Sequence, residues 1–219
     1  MFRFEKKYIL KNSHDLSFNY LDFFIKKKNI LKLHEPNEIN NLYFDTKQFT
    51  NYHLHNEGNL NRYKVRIRWY TKRISKENNF FLEIKKRINR KNIKYKTVIP
   101  IKDTSQLKNF DVNYYVKKLN LIYSFEKKSK IFKPVLFNKY KRSYFYYKNK
   151  DNRITIDTNL KFSKVYNFKK TFFQNADLKL IEHKFENNKN NPLVSNNNLI
   201  LMSGSFSKYL FGVQRLKII

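Results

Sequence analysis

No cysteine occurs in the 219 residues of this chain. That excludes disulfide frameworks and cysteine-based zinc sites, and it agrees with a reducing compartment. No apolar run approaches the roughly 18 residues that a membrane-spanning helix needs. The opening "MFRFEKKYILKN" has no apolar stretch, so no secretory leader is expected and the expected location is cytoplasmic. Glycine and proline are scarce, 3 and 4 residues, while lysine and asparagine abound. Such a bias can arise from coding composition, so much of the lysine carries little information. No linker long enough to split the chain is visible, and no fixed-period repeat. A single domain over residues 1–219 is therefore expected. Acidic residues are few as well, 17 against 47 Lys and Arg, for a net charge of +30. A chain that repels itself so strongly calls for an anionic partner. Basic residues could also bring it to an anionic lipid surface, as a peripheral association.

What is present is aromatic and alternating. The 16 Tyr and 21 Phe supply the apolar area of a core and argue against disorder. Alternation predicts strands over 2–10, 39–46, 62–72, 79–89, 92–100, 133–148, 152–166 and 177–185. "NKDN", 149–152, reads as a hairpin turn. A helix is expected from a Ser13 cap, a short one near residues 49–57 before Gly58, and another from Asp103 or Thr104 to about residue 120. Two more are expected, within 193–202 and at the C-terminus. Eight strands with helices between them predict an α+β fold: an eight-stranded antiparallel β-barrel with flanking helices, able to hold a ligand inside.

Two strands carry their charges in rows. In "YKVRIRWY", Lys64, Arg66 and Arg68 share one face, and Val65, Ile67 and Trp69 the other. In "FLEIKKRI", Glu83, Lys85 and Arg87 alternate with Leu82 and Ile84. A solvated strand face would give the same pattern. Inside a barrel, however, unpaired cations would persist only in a wet tunnel that takes up an anion. Phosphate is the best match for arginine, which grips it with two parallel hydrogen bonds. Glu5, Glu83 and Glu182 each stand two residues before a lysine, Lys7, Lys85 and Lys184. Carboxylates in such a tunnel make sense as ligands of Mg²⁺ or a similar divalent metal shared with phosphate oxygens. The bland reading of Glu182 with Lys184 is an exposed ion pair worth little. Trp69, Tyr43 and Phe44 are expected in the outer core. Lys86 is expected among outward cations that gather a polyanion. The histidines are given no role. The aromatics of 63–70 lie mainly across the strand from the cations, which disfavours a specific nucleic-acid partner.

In chain order, "FRFEKKY", "LYFDT", "KVRIRWY", "FLEIKKR", "YKRSYF" with "RITID", "LIEHKF" and "FSKYLFG" resemble the VTC domain from Arg3 to Gly212. That is the polyphosphate polymerase domain of the vacuolar transporter chaperone complex and of stand-alone bacterial relatives, within the triphosphate tunnel enzymes. The resemblance implies an eight-stranded antiparallel tunnel. It also implies polymerisation of inorganic polyphosphate from ATP, assisted by a divalent metal, Mn²⁺ or Mg²⁺. By the same resemblance Lys7, Arg66, Arg68, Lys85, Arg142 and Arg153 match phosphate-binding cations, with Lys94 a further one. Glu182 matches the metal-binding glutamate, with Glu83 or Glu5 assisting. Tyr140 matches a tyrosine near the nucleotide phosphates, and Ser207 and Lys208 match the C-terminal Ser-Lys. Two positions depart from the pattern. Ser205 stands where the fungal members have a lysine. Arg3 stands where related triphosphatases and cyclases have a first glutamate, which favours the polymerase branch. The alternatives are a triphosphatase or nucleotide cyclase on the same tunnel, or a non-catalytic polyphosphate binder.

Overall fold

The computed structural model describes residues 4–11, 25–26, 29–71, 79–89, 91–118, 131–166, 168–186 and 204–219. Among these residues ten strands form: β1 (Phe4–Lys11), β2 (Ile30–Asp45), β3 (Arg62–Thr71), β4 (Phe81–Ile88), β5 (Lys91–Val98), β6 (Lys133–Tyr147), β7 (Asn149–Tyr166), β8 (Lys169–Lys170), β9 (Gln174–Ala176) and β10 (Leu178–Phe185). The helices are α1 (Thr50–Asn56), α2 (Val112–Lys118) and α3 (Lys208–Arg215), with a 3-10 turn at Thr104–Asn109. All eight expected strands are present, and β8 and β9 are additional. The helix expected within 193–202, and that from Ser13 apart from helical residues 25–26, lie outside the described residues.

The expected closed barrel is not formed. The sheet runs β1-β10-β7-β6-β2-β3-β4-β5, with β8 and β9 on β7, and is open. Closure would require the two end strands to bond to each other. Instead β5 is exposed along most of its length and carries Lys91, Lys94 and Lys96. Charge of that kind marks an edge strand, which it protects from further pairing.

The chain divides into two compact units. Unit 1 comprises Met1–Glu38, Lys139–Lys161 and Asn175–Ser207; unit 2 comprises Ile39–Asn138, Phe162–Gln174 and Lys208–Ile219. In unit 1, β1 pairs antiparallel with β10, and β10 with β7. The apolar alternates Tyr8, Leu10, Ile154, Ile156 and Ile181 bury one face together with Ile30. Lys148, at a φ of 63°, makes the turn between β6 and β7, one residue before the expected hairpin turn.

In unit 2, Tyr63, Val65, Ile67 and Trp69 of β3 bury one face against Leu82 and Ile84 of β4 and Leu42 and Phe44 of β2. Trp69 stacks on Phe80 with ring centroids 5.2 Å apart. Lys86 belongs to this face as well, opposite Tyr63, and is only 8% exposed. Its expected outward position is therefore not observed: the period of two places it with Leu82 and Ile84. The helix expected from 103 to about 120 is split by two caps. Asp103 accepts a hydrogen bond from the Ser105 amide at 2.7 Å. Asp111 accepts from the amides of Asn113 and Tyr114, at 2.9 and 3.1 Å, and starts α2. Gly58, with a φ of 71°, follows α1 as expected.

Buried Asp45 ties both ends of the unit's sequence together. Its carboxylate accepts from the amides of Thr46, Asn51 and Tyr52, at 2.7, 2.9 and 3.0 Å, and from the Tyr209 hydroxyl of α3. Burial raises its pKa against these bonds. Next to Tyr209 on α3, Gly212 passes Leu136 and Phe162 so closely that a Cβ would lie 2.6 Å from each side chain. No helix among the described residues is long and apolar enough to cross a membrane.

Candidate phosphate-binding clusters

The predicted site residues fall into two clusters, one in each unit. In unit 2 the register sets Arg66 opposite Glu83, and Glu83 opposite Lys96. One row along, Lys64, Lys85 and Lys94 stand side by side. Arg66 donates from Nε and Nη2 to Glu83 Oε2. Arg68 Nη1 lies 3.8 Å from the same oxygen, and Lys94 Nζ lies 3.0 Å from Oε1. The Glu83 side chain is 3% exposed. Burial favours its neutral form, yet Arg66, Arg68 and Lys94 outweigh burial and bring its pKa down to about 2. Glu83 is thus an ionised counter-ion of three cations. Its expected metal role is not what this geometry favours, because its oxygens already face those cations.

Arg68 is held from its other side. Its Nε donates to Asn41 Oδ1 at 2.8 Å, and Asn41 Nδ2 donates to Asn138 Oδ1 at 3.0 Å. Tyr43, expected in the outer core, shares this face. Its hydroxyl accepts from Arg66 Nη1 at 3.2 Å, and the guanidinium lies 5.8 Å from its ring centroid. The reason is parity: in β2, Leu42 and Phe44 take the apolar face, so Asn41, Tyr43 and Asp45 take the polar one. Trp69 and Phe44 are in the core as expected. Lys208 opens α3 in the same unit, and Lys85 is exposed.

In unit 1 the charges alternate like a checkerboard. One cross-strand row reads Glu5, Lys184, Arg153; the next reads Lys7, Glu182, Thr155. Lys184 Nζ lies 2.9 Å from Glu182 and 3.8 Å from Glu5. Lys7 Nζ lies 3.1 Å from Glu5 and donates to the Phe206 carbonyl at 3.2 Å. The Gly204 amide donates to the Lys7 carbonyl, which sets the segment ending at Ser207 beside β1. Arg142 of β6 grips Asp157 of β7 with two parallel bonds, Nε to Oδ1 at 2.5 Å and Nη2 to Oδ2 at 2.7 Å. Its guanidinium lies 5.4 Å from the Tyr140 ring centroid. Burial opposes the charge on Arg142, but Tyr140, Asp157 and Glu182 around it hold its pKa well above the ordinary value.

Asp157 was not singled out from the sequence. The signal was there: in "RITID" it shares the parity of Arg153 and Thr155. Among the described residues no three His, Cys, Asp or Glu side chains come together as a metal-binding group. Glu5 and Glu182 do share one ammonium, that of Lys184, so this pair of carboxylates accepts a cation. His183, which is buried, bonds Asn152, a packing role. A cleft of about 690 Å³ in unit 2, lined by Phe110, Phe132 and Tyr166 among others, contains none of the predicted site residues.

Residues 2–217 match the family model of the VTC domain. No curated protein matches the chain by sequence. Solved structures with partial similarity include a candidate adenylyl cyclase from Hippeastrum with a dominant triphosphatase activity, at 13% identity and a TM-score of 0.49, over 85% of this chain and 81% of that one. A candidate adenylate cyclase from Bacillus halodurans matches at 13% identity and a TM-score of 0.46, over 99% of this chain and 89% of that one. Another, from Vibrio parahaemolyticus, matches at 17% identity and a TM-score of 0.44, over 86% and 78%.

Proposed function

We propose, from the premise that this chain belongs to the VTC domain family, that it transfers the γ-phosphate of ATP to a growing chain of inorganic polyphosphate. The observation that carries this reading is the Arg142–Asp157 fork. A buried carboxylate consumes two of the five guanidinium N–H groups of Arg142 and fixes its plane. The Nη1 edge is left for a second, bidentate oxyanion, and a phosphate matches it. In the other unit Glu83 orients Arg66 through one oxygen, Oε2, which accepts from both Nε and Nη2. Positioned charge of this kind is what phosphoryl transfer needs, more than covalent chemistry by the protein.

In the reaction, a terminal phosphate oxygen of the chain attacks the γ-phosphorus. The bond from the γ-phosphorus to the β,γ-bridging oxygen breaks, and ADP leaves. The attacking oxygen is already ionised near neutral pH, so no strong general base is assigned. Each cluster holds and neutralises phosphate oxygens: Arg66 and Arg68 in unit 2, with Lys85 and Lys94 adding contacts, and Arg142 and Arg153 in unit 1, with Tyr140 beside them. Lys7, Ser207 and Lys208 steady the transferred group or the acceptor. The donor set of Glu5 and Glu182 fits a hard divalent cation, Mn²⁺ or Mg²⁺, with water and substrate oxygens as its other ligands. Bound there, such a cation neutralises phosphate charge.

The test is incubation with ATP and Mn²⁺ or Mg²⁺, with and without a short primer, followed by a gel stained for polyphosphate. A ladder of chains with matching ADP release supports the polymerase. Phosphate or pyrophosphate without a ladder replaces it with a triphosphatase or a cyclase. Tight binding without turnover reduces the reading to a polyphosphate binder.

A further inference from the structure

The face of β3 and β4 that carries Arg66 and Glu83 continues past the predicted residues. Arg62 and Arg87 stand directly opposite each other on it. Like charges in that register destabilise a sheet. Among the described residues neither guanidinium is paired with a carboxylate. Arg62 Nη1 donates to the backbone carbonyls of Gly58, at 3.3 Å, and Asn59. Arg87 Nε is buried and has no hydrogen-bond partner. Burial and the Arg87 charge both lower the pKa of Arg62. A buried, unpaired donor on a cation opposite a second cation is costly unless an anion completes it.

The neighbouring rows say which anion. Next along the strands come Lys64, Lys85 and Lys94, then Arg66, Glu83 and Lys96, then Arg68. Glu83 is the single acidic residue in β3, β4 and β5. Rows two residues apart are about 7 Å apart, so Arg62 and Arg68 are about 20 Å from each other along the strand. One phosphate, or one triphosphate, is too short to engage every row. A linear phosphate chain is not. Tyr43 packs on Arg66 and Phe81 on Lys96. The rows of Arg62, Arg87 and Asn92 and of Lys64, Lys85 and Lys94, however, hold no aromatic residue to stack a base, which disfavours single-stranded nucleic acid at this end of the face.

We propose that Arg62 and Arg87 form a distal anion subsite. It holds the far portion of a linear polyphosphate whose near portion lies at Arg66 and Arg68, and so sets how affinity and product length grow with chain length. This rests on the polyphosphate reading above. Neither arginine is assigned to the transfer step.

The experiment uses the full chain and the variants Arg62→Gln, Arg87→Gln and the double variant. Binding of tripolyphosphate and of polyphosphates of graded length is measured by calorimetry at fixed salt. Thermal melting without ligand is the control for folding. The wild type is expected to bind more tightly as the chain lengthens. The double variant is expected to lose about tenfold or more for long chains, keep tripolyphosphate affinity within about twofold, and melt no lower than wild type. Each single variant should lose part of the long-chain affinity. Equal long-chain affinity in wild type and double variant overturns the subsite, as does an equal loss for tripolyphosphate and long chains. Failure of the wild type to bind any length overturns the polyphosphate reading and the subsite with it.

Discussion

Arg66 donates two hydrogen bonds to one carboxylate oxygen of Glu83, at 2.9 Å from Nε and 2.6 Å from Nη2. With Arg68 and Lys94 on the same carboxylate, Glu83 is outnumbered by its partners. Glu83→Gln should therefore leave poorly compensated cations and lower stability by about 3 kcal/mol. Added polyphosphate supplies the missing negative charge. The variant's melting temperature should consequently rise more on adding polyphosphate than the wild type's does; equal shifts would count against the pairing.

Asp157 is wholly buried and holds Arg142. Asp157→Asn removes the charge but keeps the shape. We expect a loss of about 3–5 kcal/mol, because a buried guanidinium loses its partner. Arg142→Lys keeps the charge but loses the fork, so kcat/KM for ATP should fall while the fold largely survives. Chemical denaturation and steady-state kinetics on both variants separate the two effects.

Acid should weaken the fold in two stages. His55 is kept neutral by burial and by Lys64, Arg62 and Lys85, with its pKa down to about 2. The unfolded chain takes up a proton below about pH 6.5 that folded His55 refuses, so stability falls as pH drops from there. Glu83 is also depressed to about 2, so its contribution is present above about pH 4.5 and is lost as pH falls toward 2. Melting temperature recorded from pH 8 to pH 2 should decline through both windows. His55→Gln should flatten the upper one.

Glu182→Ala should abolish turnover and spare polyphosphate binding, and chelation of divalent metal should do the same to the wild type. Unchanged turnover in the variant would remove Glu182 from the metal assignment.

Gly212→Ala places a methyl against the buried side chains of Leu136 and Phe162. Overpacking of this kind costs about 1–3 kcal/mol. A melting curve that matches wild type would show that α3 has room to shift.

Much of the fold was legible because strands expose their register in the residue alternation. The parity of "YKVRIRWY" and "FLEIKKRI" alone separates Val65, Ile67, Leu82 and Ile84 from Arg66, Arg68 and Glu83, and it would equally have placed Lys86 with the core. Asp157 and Tyr43 had the same parity signal. What the alternation could not state is which partner each charge meets across the strand. That Arg66 meets Glu83, Arg142 meets Asp157 and Lys184 lies between Glu5 and Glu182 follows from strand order and register, set by long-range pairing. Closure lay outside its reach for the same reason. Eight alternating segments suit a barrel and an open sheet equally well. The difference is whether the two end strands bond to each other, and that long-range pairing is decided only when the chain has folded.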